Sequence, residues 1–257
     1  MSEYILQTKG LSKIFGGLVA LDKIDMEIEK GRISAIIGPN GAGKTTLFNL
    51  IAGVYSATSG EILFQGMRVN SMPAHRRASI GVARTFQHAL LFGNMTVLEN
   101  VMTGQHPRSQ YGFLEAAFRL PKSYREERKI SLEAIKYLNL VGLGMDKDKE
   151  ALSLPLGRQK LLAIARALAT EPKLLLLDEP GAGLTTLEKR ALSDLIRRII
   201  DMGITVLLVE HDMPLVMGLA EKIIVLDSGQ KIAEGDANQI QKDERVIAVY
   251  LGEEVEG

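Results

Sequence analysis

Hydrophobic and polar positions alternate over the first forty residues, in "YILQTKGL" from Tyr4 and "IDMEIEKGRISAII" up to Ile37. That period of two predicts strands, with Gly31-Arg32 as a turn. After Lys44 the spacing changes: Leu47, Leu50 and Ile51 fall on one face of a helix. From about His88 to Ala169 the pattern is mostly helical. It holds "TVLENVMTG" and "YREERKISLEAIKYLNLVGL", with Ile130, Ala134, Tyr137 and Leu138 at helical spacing. From Lys173 strands return: "LLLLDE", a helix over Leu187–Met202, "ITVLLVE", and "KIIVLDSGQKIAEG", a hairpin turning at Ser228-Gly229. Strands alternating with helices predict an α/β fold with a largely parallel sheet. The helical middle predicts an inserted subdomain.

Chemistry sits where the pattern changes. "GPNGAGKTT", Gly38 to Thr46, follows the strand "RISAII", precedes a helix and fits G-x-x-x-x-G-K-[ST]. In that motif the glycines let backbone N–H groups curl round phosphates. Lys44 reaches the β/γ-phosphates and the Thr45 hydroxyl can ligate Mg²⁺. "LLLLDEP" carries Asp178 and Glu179 at the carboxyl end of a buried strand, where open α/β sheets bind ligands. There Asp178 can hold Mg²⁺ through water, and Glu179 can take a proton from an attacking water. The plainer reading, a helix-capping acidic pair, loses ground beside a phosphate loop. His211 ends "ITVLLVEHD", Gln87 ends "RTFQ", and Phe15 lies 23 residues before Gly38. Singly these are a structural histidine, a surface glutamine and a core phenylalanine; their order along the chain gives them weight.

Composition narrows the rest. Hydrophobic residues at 46% and charged residues at 24% suit a globular chain with a substantial core. Lys plus Arg (31) equals Asp plus Glu (31), so no polyanion-binding footprint exists and a nucleic-acid partner is not expected. With no cysteine, thiol metal sites and disulfides are excluded, which suits a reducing compartment. The N-terminus shows no signal-peptide pattern. No apolar run reaches the ~18–20 residues of a membrane span, so work at a membrane requires a partner.

The ordered set Lys44, Gln87, Asp178-Glu179, His211 resembles the ATP-binding subunit of an ABC transporter, over essentially the whole chain. The resemblance implies a P-loop ATPase core sheet with an antiparallel β subdomain. The core would comprise 1–87 and 170–257 and the inserted helical subdomain 88–169. It implies ATP and Mg²⁺, with Phe15 stacking on adenine and Gly38, Pro39, Asn40, Gly41, Ala42, Gly43, Lys44, Thr45 and Thr46 around the phosphates. Gln87 would serve Mg²⁺ and the link to the membrane subunit, Asp178 Mg²⁺, Glu179 the water and His211 the γ-phosphate. "IARAL", Ile164 to Leu168, places "LSLPLGRQK" where the family's signature L-S-G-G-Q belongs. Leu154, Pro155, Leu156, Gly157 and Arg158 stand at its five positions, leaving Gly157 and Arg158 to offer N–H groups or charge. The following helix should bury Leu161, Ile164, Ala165 and Leu168. Where the family has S-A-L-D this chain reads "AGLT", with Thr185 at the aspartate.

Finer likeness lies in "FGGLVALDKIDMEIEKG", "ARTFQHALLFGNMTVLENV", "DEPGAGL" and "VYLGEE", and in the long helical segment from Gly104 to Leu143. These are similar to the longer ATP-binding subunit of branched-chain amino acid importers, ahead of the lipopolysaccharide-export ATPase or a soluble non-transport ATPase. "RLPKSYREERK" reads as a solvated helical face. The resemblance implies a second ATP-binding subunit, a paralogue in preference to a second copy. It also implies permease subunits, an external solute-binding protein acting indirectly, and a peripheral place on the cytoplasmic face of the membrane.

Overall fold

The computed structural model describes residues 3–87, 90–105 and 121–253. Two sheets carry the fold. Strands β1 (Tyr4–Phe15), β2 (Leu18–Glu29), β4 (Ser59–Phe64) and β5 (Met67–Arg68) form an antiparallel sheet in the order β2-β1-β4-β5. Strands β3 (Ile33–Ile37), β6 (Val82–Arg84), β7 (Leu174–Asp178), β8 (Thr205–Val209), β9 (Lys222–Asp227) and β10 (Gln230–Gly235) form the second, ordered β10-β9-β3-β8-β7-β6. Its strands run parallel apart from β10, which pairs antiparallel with β9. Every residue of β3, β7 and β8 is buried, as their unbroken apolar runs require of strands covered on both faces.

The strand period of two divides the core. Ile36, Leu174, Leu176, Leu207 and Val209 face one way, toward Leu47, Phe48, Leu50 and Ile51 of α1 (Lys44–Ala52) and Leu21, Ile24, Met26 and Ile28 of β2. Ile33, Ala35, Ile37, Leu175, Leu177, Val206 and Leu208 face the other way. There they join Val97 and Val101 of α3 (Val97–Thr103), Ala134 and Leu138 of α4 (Pro121–Leu140) and Leu162 and Leu168 of α5 (Leu156–Leu168). Leu192, Leu195, Ile196 and Ile199 of α6 (Thr186–Asp201) belong to the same cluster. The helical middle therefore shares the sheet's core.

The sequence expectations and the structure agree on β3, β7, β8, α1, α6 and the β9–β10 hairpin, whose Ser228 and Gly229 take φ of +46° and +77°. They differ at the N-terminus. The two alternating stretches are longer strands of one hairpin, turning at Gly16 and Gly17 with φ of +52° and +103°. Beyond α1 the chain forms β4, β5, the six-residue α2 (Ala74–Ser79) and β6, for which no pattern was legible. Arg77 of α2 is fully buried and donates to the carbonyls of Leu50, Ile51, Val69 and Met72. Of the segment from Gly104 to Leu143, residues 106–120 lie outside the described residues, as do the side chains of 121–127. Arg128 and Lys129, the rest of "RLPKSYREERK", are exposed.

Candidate active site

The carboxyl ends of the parallel strands bring the chemistry together. At the end of β3, Gly38 has φ +149° and a Cβ there would lie 2.0 Å from the Leu226 carbonyl oxygen, so only glycine fits. Gly41 and Gly43 are left-handed at +82° and +99°, and the loop leads directly into α1, whose N-cap Gly43 offers no side-chain cap. The loop is propped from behind by the β9–β10 turn: Gly229 N–H donates to the Ala42 carbonyl at 3.2 Å. Lys44 is nine-tenths buried and folds back over the loop, its Nζ donating to the Gly38 and Pro39 carbonyls at 2.6 and 2.8 Å. Thr45 and Asn40 are exposed, and Thr46 is half-buried.

Two strands away, Glu179 follows β7 with φ +46°, a left-handed conformation costing a non-glycine residue of order 1–2 kcal/mol. Its N–H donates to the Val209 carbonyl at 2.9 Å, which ties the turn to β8. Its carboxylate accepts from Gln87 Nε2 at 2.8 Å and lies 3.9 Å from His211 Nδ1. Residues 87, 179 and 211, far apart in sequence, thus converge on one carboxylate. Asp178 points elsewhere. Its carboxylate accepts from Arg84 Nη2 at 2.7 Å, with both side chains almost wholly buried. The other Arg84 branch donates to Asn49 Oδ1 at 2.6 Å.

The donors that the sequence assigns to a metal are all oxygens: the Thr45 hydroxyl, the Asp178 carboxylate and the Gln87 amide oxygen. Among the described residues no three His, Cys, Asp or Glu gather as a metal cage. A donor set this sparse and all-oxygen fits Mg²⁺, which keeps most of its ligands from water and phosphates.

Leu156 and Gly157 open α5, with Pro155 as an N-cap that has no side chain to offer. Leu156 is exposed, and a Cβ at Gly157 would lie 2.9 Å from Glu188 Oε1. Arg158 is committed within the chain, pairing through Nη1 with Asp146 Oδ2 at 2.7 Å. Ile164, Ala165 and Leu168 are buried and Leu161 packs against them in part. Thr185 is the N-cap of α6: its hydroxyl accepts from the Glu188 N–H, while Glu188 accepts from the Thr185 N–H. Threonine serves this position because capping a helix is work that Thr and Asp share. Phe15 is exposed at the tip of the β1–β2 hairpin, edge-on to Tyr55 at 5.4 Å between centroids, with Lys13 Nζ 4.6 Å above its ring.

Two charged residues at this edge, Arg84 and Glu210, carried no signal in the sequence, and Lys160, which follows Gly157 as a cation suited to an anion at a helix start, instead turns inward to backbone carbonyls. Glu210 follows β8, is fully buried, and its Oε1 accepts from the Gly181 N–H at 2.5 Å. Burial pushes its carboxyl above the ordinary range, against the hydrogen bonds it accepts from backbone. Lys160 Nζ donates to the Glu179 and Ala182 carbonyls at 2.9 and 2.6 Å, and burial lowers its pKa. A predominantly apolar groove of about 600 Å³ opens beside Arg84, lined also by Val54, Phe86, Leu91, Phe92 and Ala167.

Known proteins resemble this chain in sequence and fold. The family model for the ABC transporter matches residues 21–182, and one described as branched-chain amino acid ATP-binding cassette transporter matches residues 230–256. The high-affinity branched-chain amino acid transport ATP-binding protein BraF of Pseudomonas aeruginosa is 41% identical over 254 residues, covering 98% of this chain and 100% of its own. Among solved structures, a nucleotide-free ATP-binding cassette from an ABC transporter superposes with TM-score 0.85 at 32% identity, covering 96% of this chain and 98% of that one. A bacterial ABC transporter cassette solved as a dimer gives TM-score 0.78 at 25% identity over 90% and 98%. With its phosphate loop, its Gln87–Glu179–His211 cluster and these likenesses over nearly its full length, the chain belongs to the ABC transporter family as an ATP-binding cassette.

Proposed function

We propose that this chain is the ATP-hydrolysing subunit of an importer for branched-chain amino acids or related small polar solutes. The observation that carries the ATPase reading is the convergence of Gln87 and His211 on Glu179, on the same sheet edge as the Lys44 loop. The backbone N–H groups of Gly38 and of Asn40–Thr46 and the Lys44 ammonium hold the phosphates, with Lys44 exchanging loop carbonyls for phosphate oxygens. Glu179 accepts a proton from the attacking water through Oε2, the oxygen that Gln87 holds. His211 meets the terminal phosphate beside it. Thr45, Gln87 and Asp178 would hold Mg²⁺, which neutralises charge on the phosphates. Phe15, beside Tyr55, offers an exposed face to the base.

Gly157 and its neighbours at the start of α5 serve the nucleotide of a second ATP-binding subunit, a paralogue with a fuller signature. In this reading 1–87 and 170–257 form the nucleotide core and 88–169 the helical subdomain. The apolar groove beside Arg84 and Phe86, one residue from Gln87, suits a short helix of a permease subunit, which would hold the chain at the cytoplasmic face of the membrane. Among the described residues no helix is long and apolar enough to cross a membrane itself. A solute-binding protein acts through the permeases.

The nucleotide part is tested by calorimetry: Lys44→Ala should lose at least ~10-fold in Mg·ATP affinity, since one charge-assisted hydrogen bond is worth about 1.5–3 kcal/mol. Unchanged affinity would refute it. The solute part is tested by reconstituting the chain with the permeases and second ATPase encoded beside it. ATP hydrolysis should rise when the binding protein is loaded with leucine, isoleucine or valine. Stimulation by none of these, nor by amides or urea, refutes it.

A further inference from the structure

The segment from Glu179 to Ala182 is held on both sides by charge. Lys160, the fifth residue of α5, sends Nζ to the carbonyls of Glu179 at 2.9 Å and Ala182 at 2.6 Å. From the other side Glu210 accepts the intervening Gly181 N–H at 2.5 Å, and through Oε2 the His211 N–H at 3.2 Å. Three polar contacts within four residues therefore pin a turn that begins with a left-handed glutamate. Such a backbone persists only when its surroundings over-determine it. A right-handed Glu179 would swing its carboxylate away from Gln87 Nε2 and His211 Nδ1.

We propose that Lys160, braced by Glu210, is the positioning residue for Glu179, holding the left-handed turn that aims its carboxylate at the attacking water. This rests on the reading of Glu179 as the group that takes the proton. Lys160 touches carbonyls, not the carboxylate, so it acts through backbone geometry rather than by pairing with the catalytic charge. It also lies one turn from Gly157, so the placement of Glu179 depends on how α5 is seated. Burial lowers the Lys160 pKa and raises that of Glu210; for Lys160 the nearby carboxylates of Glu210 and Glu179 oppose it only in part.

The test is single-turnover hydrolysis of Mg·ATP by the full chain in excess over nucleotide, with ATP affinity measured alongside. Lys160→Met should slow hydrolysis ~10- to 100-fold, the scale for a small displacement of a catalytic group. Affinity should stay within ~2-fold because the Lys44 loop is untouched, and Lys160→Arg should recover most of the rate. Combining Lys160→Met with Glu179→Gln should slow hydrolysis no further than Glu179→Gln alone, since residues acting as a unit are non-additive. A Lys160→Met rate equal to wild type, or a multiplicative loss in the double variant, overturns the positioning role while leaving Glu179 in place. Lost ATP affinity in Lys160→Met without rescue by arginine also overturns it, as a general folding defect. A Glu179→Gln variant as fast as wild type instead removes the reading on which the role rests.

Discussion

The buried ion pair between Arg84 and Asp178 gives the sharpest quantitative expectation. Its charged atoms are 2.7 Å apart and the side chains are 7% and 5% exposed. At an effective dielectric constant near 20 their attraction is about 6 kcal/mol, which bounds the effect because desolvation opposes it. Arg84→Met removes the cation, keeps the stem against Phe48 and Phe86, and leaves a buried carboxylate without the one charged partner it has among the described residues. Orphaning one member of such a pair costs about 3–5 kcal/mol. For a chain of this size that is a fall in melting temperature of roughly 6–20 °C. Replacing both partners, Arg84→Met with Asp178→Leu, should recover most of the loss, since no uncompensated charge remains. Thermal melts followed by circular dichroism at neutral pH, in low and high salt, measure both; salt should change little, because the pair is hidden from solvent. A single variant melting within ~2 °C of wild type, or a double variant no better than the worse single, would refute the buried-pair reasoning.

Glu179→Gln should keep ATP affinity, slow hydrolysis by at least ~10²-fold and accumulate an ATP-bound dimer visible by size-exclusion chromatography; turnover near the wild-type rate would remove Glu179 as the base. Pro155→Ser with Leu156→Gly should raise the ATPase rate of the isolated chain, whereas Arg158→Gln should leave it unchanged, because Arg158 is spent on Asp146; brisk wild-type hydrolysis that the repair does not improve would sink the weak-signature idea. Asp212 caps α7 (Met213–Leu219), and the hydrogen bond from Lys189 holds its carboxyl below the ordinary aspartate value despite partial burial. Its contribution to stability is present above that ordinary value and lost as pH falls through the lower folded one, so Lys189→Met should destabilise at neutral pH and match wild type in strong acid. A stability difference independent of pH would contradict this.

What could be read from the sequence follows from where the physics is local. The strands β3, β7 and β8 were visible because burial on both faces leaves only apolar residues, and the phosphate loop because its turns demand glycine at fixed offsets. Glu179 stood out at the end of "LLLLDEP", whereas Gln87 and His211 gained weight only from their order along the chain, and the fold supplies the reason: each of the three follows a neighbouring strand of the parallel sheet. Arg84 and Glu210 were illegible, as were the backbone partners of Lys160, because such partners are set by topology, with Arg84 meeting Asp178 across 94 positions and Glu210 meeting Gly181 across 29. The weak stretch before β6 was silent for another reason. α2 is six residues long and its one deeply buried side chain is an arginine, which no hydrophobic pattern would mark as core.

The apolar cluster that joins α3, α4 and α5 to one face of the parallel sheet has a consequence for engineering. Leu162 and Leu168 on one side and Leu175 and Leu208 on the other are neighbours in a single packed network, so the helical stretch has no interior of its own to fall back on. Cut out and expressed alone, it should be a molten fragment, and grafted onto a foreign cassette it would carry half of someone else's jigsaw. With the groove read as the permease seat, exchange of partner between such proteins must be made side chain by side chain there, or with the whole cassette at once.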